Sequence, residues 1–172
     1  MATGSLIKID EEIVSSSAAT VTLTGIDSTY NVYQVVASNI VPASDSQAIR
    51  IRVGTGGTPD SDSEYDMAYK VFESNASFGN HAEVNQTSWR GVTYGTGTGE
   101  AGNLIIYCFN FSNASEYSFV TQEEVTYTNQ PHLASFTGGG VHTVAEANDS
   151  ISFHMASGNI ASGTFTLYGL AK

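Results

Sequence analysis

Cations are what this chain most lacks: 6 lysines and arginines face 17 aspartates and glutamates, for a net charge of −11. A phosphate backbone is held by displacing its counterions with positive side chains, so nucleic acid and anionic membranes are not expected partners. Arg50 and Arg52 alternate on one strand face, but two arginines do not make a basic patch. Cysteine occurs once, which excludes a disulfide within the chain, and Cys108 sits in the apolar run Leu104-Ile105-Ile106-Tyr107-Cys108-Phe109. An inert core thiol is expected there. No apolar run approaches the ~20 residues needed to cross a bilayer as a helix. The opening MATGSLIKIDEEIV lacks a basic leader followed by an apolar stretch and cleavage site, so a soluble protein made in a cytoplasm is expected. Charged residues of either sign are only 13% of the chain, against about 25% in ordinary soluble domains. The polar surface must then be mostly Ser, Thr, Asn and Gln, groups suited to lying against other protein.

A helical period is missing too, whereas period-two segments recur between clusters of Gly, Asn, Asp and Ser. Strands are expected over Leu6 to Val14, Ala19 to Ile26, Tyr30 to Asn39 and Gln47 to Gly54. The last is the cleanest, with Ile49, Ile51 and Val53 inward and Arg50 and Arg52 outward. Glu64 to Phe72 alternates as well. Ser74 to Gly102 is loose, with a short strand near Glu83 to Val92 and a mobile loop at Gly95-Thr96-Gly97-Thr98-Gly99. Asn103 to Phe111 is apolar on both faces, which predicts a strand buried on both sides. Further strands are expected at Ser115 to Tyr127, His132 to Thr137, Ser150 to Ser157 and Gly163 to Leu170, with Gly138-Gly139-Gly140 a flexible turn. Nine or ten strands in 172 residues imply one all-β domain over residues 1–172, an antiparallel, jelly-roll-like β-sandwich with a short N-terminal segment.

Chemistry-bearing motifs are sparse. Asp60-Ser61-Asp62-Ser63-Glu64 begins like a calcium loop, but Tyr65 stands where that loop needs Gly and Val71 where it needs Glu. A solvated acidic hairpin tip is expected instead. His81, His132, His142 and His154 have no metal-ligand spacing, so neither metal nor cofactor is expected. Gly-x-Ser-x-Gly is absent, and Glu123 and Glu124, adjacent on a strand, point to opposite faces, so catalysis is not expected. Phe78, Trp89 and Tyr94 fall in the loosest segment. A loop-borne aromatic can anchor an interface or stack on a sugar, while the plainer alternative is that these rings cap the core.

Two longer segments carry a resemblance. Thr24-Gly25-Ile26-Asp27-Ser28-Thr29-Tyr30-Asn31-Val32-Tyr33, continuing through Ala37 to Asp45 into Ile49-Arg50-Ile51-Arg52-Val53, is one. Gly158-Asn159-Ile160-Ala161-Ser162-Gly163-Thr164-Phe165-Thr166-Leu167-Tyr168-Gly169 is the other. Both resemble small virion structural proteins of tailed bacteriophages. The resemblance implies a β-sandwich that displays variable loops and works as a head decoration (cement) protein on the capsid surface, or as a tail-fibre tip or receptor- or carbohydrate-binding module. No catalytic residue carries over. The first strand begins at Leu6 with no shaft before it, which favours the cement role among these expectations. The expected partners are the major capsid protein and sister copies in a homotrimer, with Met1, Ala2, Thr3, Gly4 and Ser5 lying against the shell.

Overall fold

The computed structural model describes residues 5–128, 130 and 132–171. Among them there are thirteen strands and no helix: β1 (Leu6–Val14), β2 (Val21–Thr24), β3 (Val32–Pro42), β4 (Gln47–Thr55), β5 (Thr58–Pro59), β6 (Tyr65–Glu73), β7 (Phe78–Gln86), β8 (Trp89–Tyr94), β9 (Gly102–Phe109), β10 (Tyr117–Tyr127), β11 (Leu133–Ala145), β12 (Ser150–Met155) and β13 (Ile160–Leu170). Eight form a large sheet in the order β1-β13-β3-β9-β10-β11-β6-β7. A smaller sheet runs β2-β12-β4, with β5 and β8 both pairing with β4. Every pairing is antiparallel.

The two sheets face each other across one apolar cluster, as the alternation requires. Ile49, Ile51 and Val53 of β4, Ile151 and Phe153 of β12, and Val35, Phe165 and Leu167 of the large sheet are completely buried. Phe153 and Phe165 meet across the interior with centroids 5.1 Å apart. The expected β-sandwich is therefore present, with more strands than the nine or ten read from the sequence. The two-residue β5 was not expected, and the strand expected near Glu83 to Val92 is two strands, β7 and β8, despite their Asn, Gly and Ser content. Cys108 is buried as expected, and burial pushes its thiol up.

Two expectations give way and one is filled in. Gly138-Gly139-Gly140 is the centre of β11 rather than a turn, paired with Tyr69, Ala68 and Met67 of β6. The glycines make room: a Cβ on Gly138 would lie 2.5 Å from Tyr69 Cβ, and one on Gly140 would lie 2.5 Å from Trp89 Nε1. The expected loop at Gly95-Thr96-Gly97-Thr98-Gly99 is present, closed by the Glu100 amide on the Gly97 carbonyl (3.1 Å) and by the Gly97 amide on the Glu100 carboxylate (2.9 Å). β9 is covered on one face only; its second apolar face, carrying Ile105 and Tyr107, is exposed.

Candidate functional site

β10 shows why that open face matters. Its burial alternates strictly, with Ser118, Val120, Gln122, Glu124 and Thr126 inward and Tyr117, Phe119, Thr121, Glu123, Val125 and Tyr127 outward. An outward row in water is usually polar, yet four of these six side chains are aromatic or aliphatic. Register extends the row sideways. Thr121 pairs with Tyr107 and Gly139, Glu123 with Ile105 and Thr137, and Tyr127 with Leu133. Farther along, Phe72 pairs with Phe78, their rings edge to face at 6.0 Å. Tyr107, Tyr117, Phe119, Val125, Tyr127 and Leu133 are each 37–45% exposed, and Phe78 is 70% exposed.

Between these apolar ends the face is hollowed. One depression of about 570 Å³ is bordered by Lys70, Asn80, Tyr107, Thr121, Glu123 and Thr137. A second of about 630 Å³ adjoins it, bordered by Val36, Ser38, Asn103, Ile105, Val125 and Ser135. The face therefore combines uncharged hydrogen-bonding groups, one Lys and one Glu, and a broken rim of rings. Such a surface can bury against protein with little charge to desolvate.

The aromatics picked out by sequence separate on the fold. Phe78 lies on the edge strand β7 and belongs to this open face. Trp89 and Tyr94 do not: both are on β8, completely buried, and the reading of them as loop-borne ligand contacts is corrected. Trp89 stands edge to face with Tyr65 at 5.1 Å and donates its indole N–H to the Val141 carbonyl at 3.2 Å. Tyr94 donates its hydroxyl to Glu124 at 2.8 Å. Burying β8 against the large sheet uses up both rings. Ser5 accepts a hydrogen bond from the Ala171 amide at 3.1 Å, while Met1, Ala2, Thr3 and Gly4 lie outside the described residues. Sequence reading missed the outward row of β10. Its signal was there: Tyr117, Phe119, Val125 and Tyr127 keep step on the face opposite Val120.

Glu124 is the chemically unusual inward group. Burial pushes its carboxyl up to about 7, against the pull of hydrogen bonds from Tyr94, Gln122 and the Val92 amide. Glu123, its neighbour, is exposed, so the expected opposition of the two carboxylates holds.

A separate cluster forms where the β5–β6 connection meets β11. The His142 ring is completely buried, with Nε2 at 2.8 Å from Asp60 Oδ2 and 3.5 Å from Glu64 Oε2. Partial burial raises Asp60, but the Asp62 amide and the His142 ring outweigh it and hold the carboxyl below its usual range. Desolvation, then the charge of Asp60, raises Glu64. These three residues could together hold a cation. The tip read as a merely solvated acidic turn is thus docked on a histidine 82 positions away.

No protein-family model matches the chain, and no curated protein matches it. Among solved structures, it is similar to an exo-inulinase from Aspergillus awamori, at 11% identity and a TM-score of 0.47, over 96% of this chain and 29% of that one. Galectin LEC-6 of Caenorhabditis elegans follows at 11% identity and a TM-score of 0.37, over 91% of this chain and 94% of that one. A human SPRY domain gives 7% and 0.38, over 90% and 86%. This chain spans less than a third of the inulinase chain. At such TM-scores the likeness carries no argument about ligands or partners, and the β-sandwich rests on the strand pairing itself.

Proposed function

We propose that this protein is a virion structural protein of a tailed bacteriophage, a head decoration (cement) protein that binds the assembled capsid surface. The observation that supports this most is the open face of β9, β10, β11, β6 and β7, where aromatic and aliphatic side chains stand in water beside uncharged polar ones. Exposed apolar surface rimmed by polar groups is characteristic of protein that meets protein. In this reading the face is covered by sister copies in a homotrimer and by the major capsid protein, and its work involves no chemical step. A subunit that binds only the finished shell stabilises it by mass action, and an oligomer spanning neighbouring capsomers adds avidity.

Electron microscopy of purified particles tests the location: density on the head surface is expected, and density confined to the tail would end the proposal. Particles lacking the protein should also rupture at lower temperature than complete ones.

The hollow bordered by Lys70, Asn80, Tyr107 and Glu123 favours a second reading, a receptor- or carbohydrate-binding tip, because a ring beside hydrogen-bonding groups suits a sugar. Selective binding on a glycan array, lost on Tyr107→Ala, would favour it. Trp89 is too deeply buried to serve as the probe.

A further inference from the structure

We propose that Asp60, Glu64 and His142 form a binding site for one divalent first-row transition cation of the Zn²⁺ type. The inference is independent of the virion reading. Three potential ligands of two chemical kinds converge, with one donor atom from each within 4.8 Å of the others. Tetrahedral ligands about 2.1 Å from zinc lie roughly 3.4 Å apart, and His142 Nε2 is 3.5 Å from Glu64 Oε2. The 2.8 Å contact to Asp60 needs to open by only about half an ångström to reach that spacing.

The charge of the donor set suits a dication. Two carboxylates and a neutral ring together balance a dication. The other ring nitrogen, Nδ1, is buried with no hydrogen-bond partner among the described residues. Binding a metal through Nε2 puts the ring proton on Nδ1, where no acceptor among the described residues receives it, so the cation must offset the cost of that buried donor.

The ligands are held in place by backbone. Thr143 donates both its amide and its hydroxyl to the Glu64 carbonyl, at 2.9 and 3.0 Å. The Asp60 amide is tied to the Val53 carbonyl at 2.9 Å, and Tyr65 donates its hydroxyl to the Asp60 carbonyl at 2.9 Å. Imidazole with two carboxylates suits zinc or manganese better than calcium, which prefers six to eight oxygens. Asp60 and Glu64 are partly exposed, so the remaining coordination positions open to water. A bound ion would join the β4–β5 arm of the small sheet to β6 and β11 of the large one.

Calorimetric titration of the metal-stripped full chain with Zn²⁺ alone tests the site, with thermal unfolding followed in parallel. One saturable site per chain and a higher unfolding midpoint are expected. Glu64→Gln and Asp60→Asn, which keep size and polarity, should each weaken Zn²⁺ at least tenfold while circular dichroism stays native. His142→Asn should abolish binding. Absence of saturable Zn²⁺ binding, unchanged affinity in both carboxamide variants, or tighter binding of Ca²⁺ than of Zn²⁺ would overturn the assignment.

Discussion

Glu124 and His154 oppose each other as pH changes. Glu124 titrates near 7 in the folded chain because burial disfavours its charge, above its usual 4.5, so the folded state holds that proton more tightly. Its contribution is complete below about pH 4.5 and is lost as pH rises through 7, a swing of about 3 kcal/mol. His154 is the reverse. Desolvation, helped by Arg52 and Arg50, lowers it from 6.5 to about 4, so its contribution is complete above pH 6.5 and is lost as pH falls toward 4. Denaturant midpoints at pH 4.5, 5.5 and 7 for wild type and Glu124→Gln should therefore diverge with rising pH, the variant gaining relative to wild type. His154→Gln should gain relative to wild type as pH falls. Parallel curves would mean that neither group titrates as its surroundings dictate.

At the scale of elements, β11 depends on the glycines that look most like a turn. Gly140 lies under the Trp89 ring, so Gly140→Ala forces the indole off its packing and off its bond to Val141. A loss of about 1–3 kcal/mol is expected, typical of overpacking. At Gly139 a Cβ meets only the Val120 carbonyl, at 3.3 Å, and Gly139→Ala should stay close to wild type by thermal denaturation. The same strand shows what the sequence could carry. β4 was readable because its own residues alternate, and β1 because Ile7 and Ile9 do. β7 and β8 read as one short strand near Glu83 to Val92, and the separate β8 was hidden because it is held by distant partners: Glu124 takes the Val92 amide and the Tyr94 hydroxyl, from 30 or more positions away. In the Asp60–Glu64–His142 cluster the acidic half was visible in the sequence, while His142 was hidden for the same reason, since spacing rules see only neighbours in sequence. The open face was half legible. Two-faced apolarity of β9 was visible, but it read as burial because nothing local distinguishes a covered face from one left bare.

For the whole molecule, the bare face is where the proposed assembly is tested. Thirteen strands close one core without using Tyr107, Phe119 or Val125, so a charge placed there should leave the fold intact. If the proposed trimer forms through this face, Phe119→Asp is expected to keep a native circular dichroism spectrum while sedimentation velocity shows a shift from trimer toward monomer, with the unfolding midpoint lowered by the stabilisation that association supplied. A monomeric wild-type protein, or a variant that stays trimeric, would remove this face from the assembly. The pairing of β1 with β13 has a mechanical consequence as well. Leu6 lies opposite Leu170, and the Ala171 amide reaches the Ser5 carbonyl, so both ends leave from the same end of one antiparallel ladder. A pull through Ser5 and Ala171 peels that ladder open one hydrogen bond at a time. A pull between Ser5 and Gly163, at opposite ends of that ladder, instead loads its hydrogen bonds together in shear, and the molecule should resist tension far better along that direction than between Ser5 and Ala171.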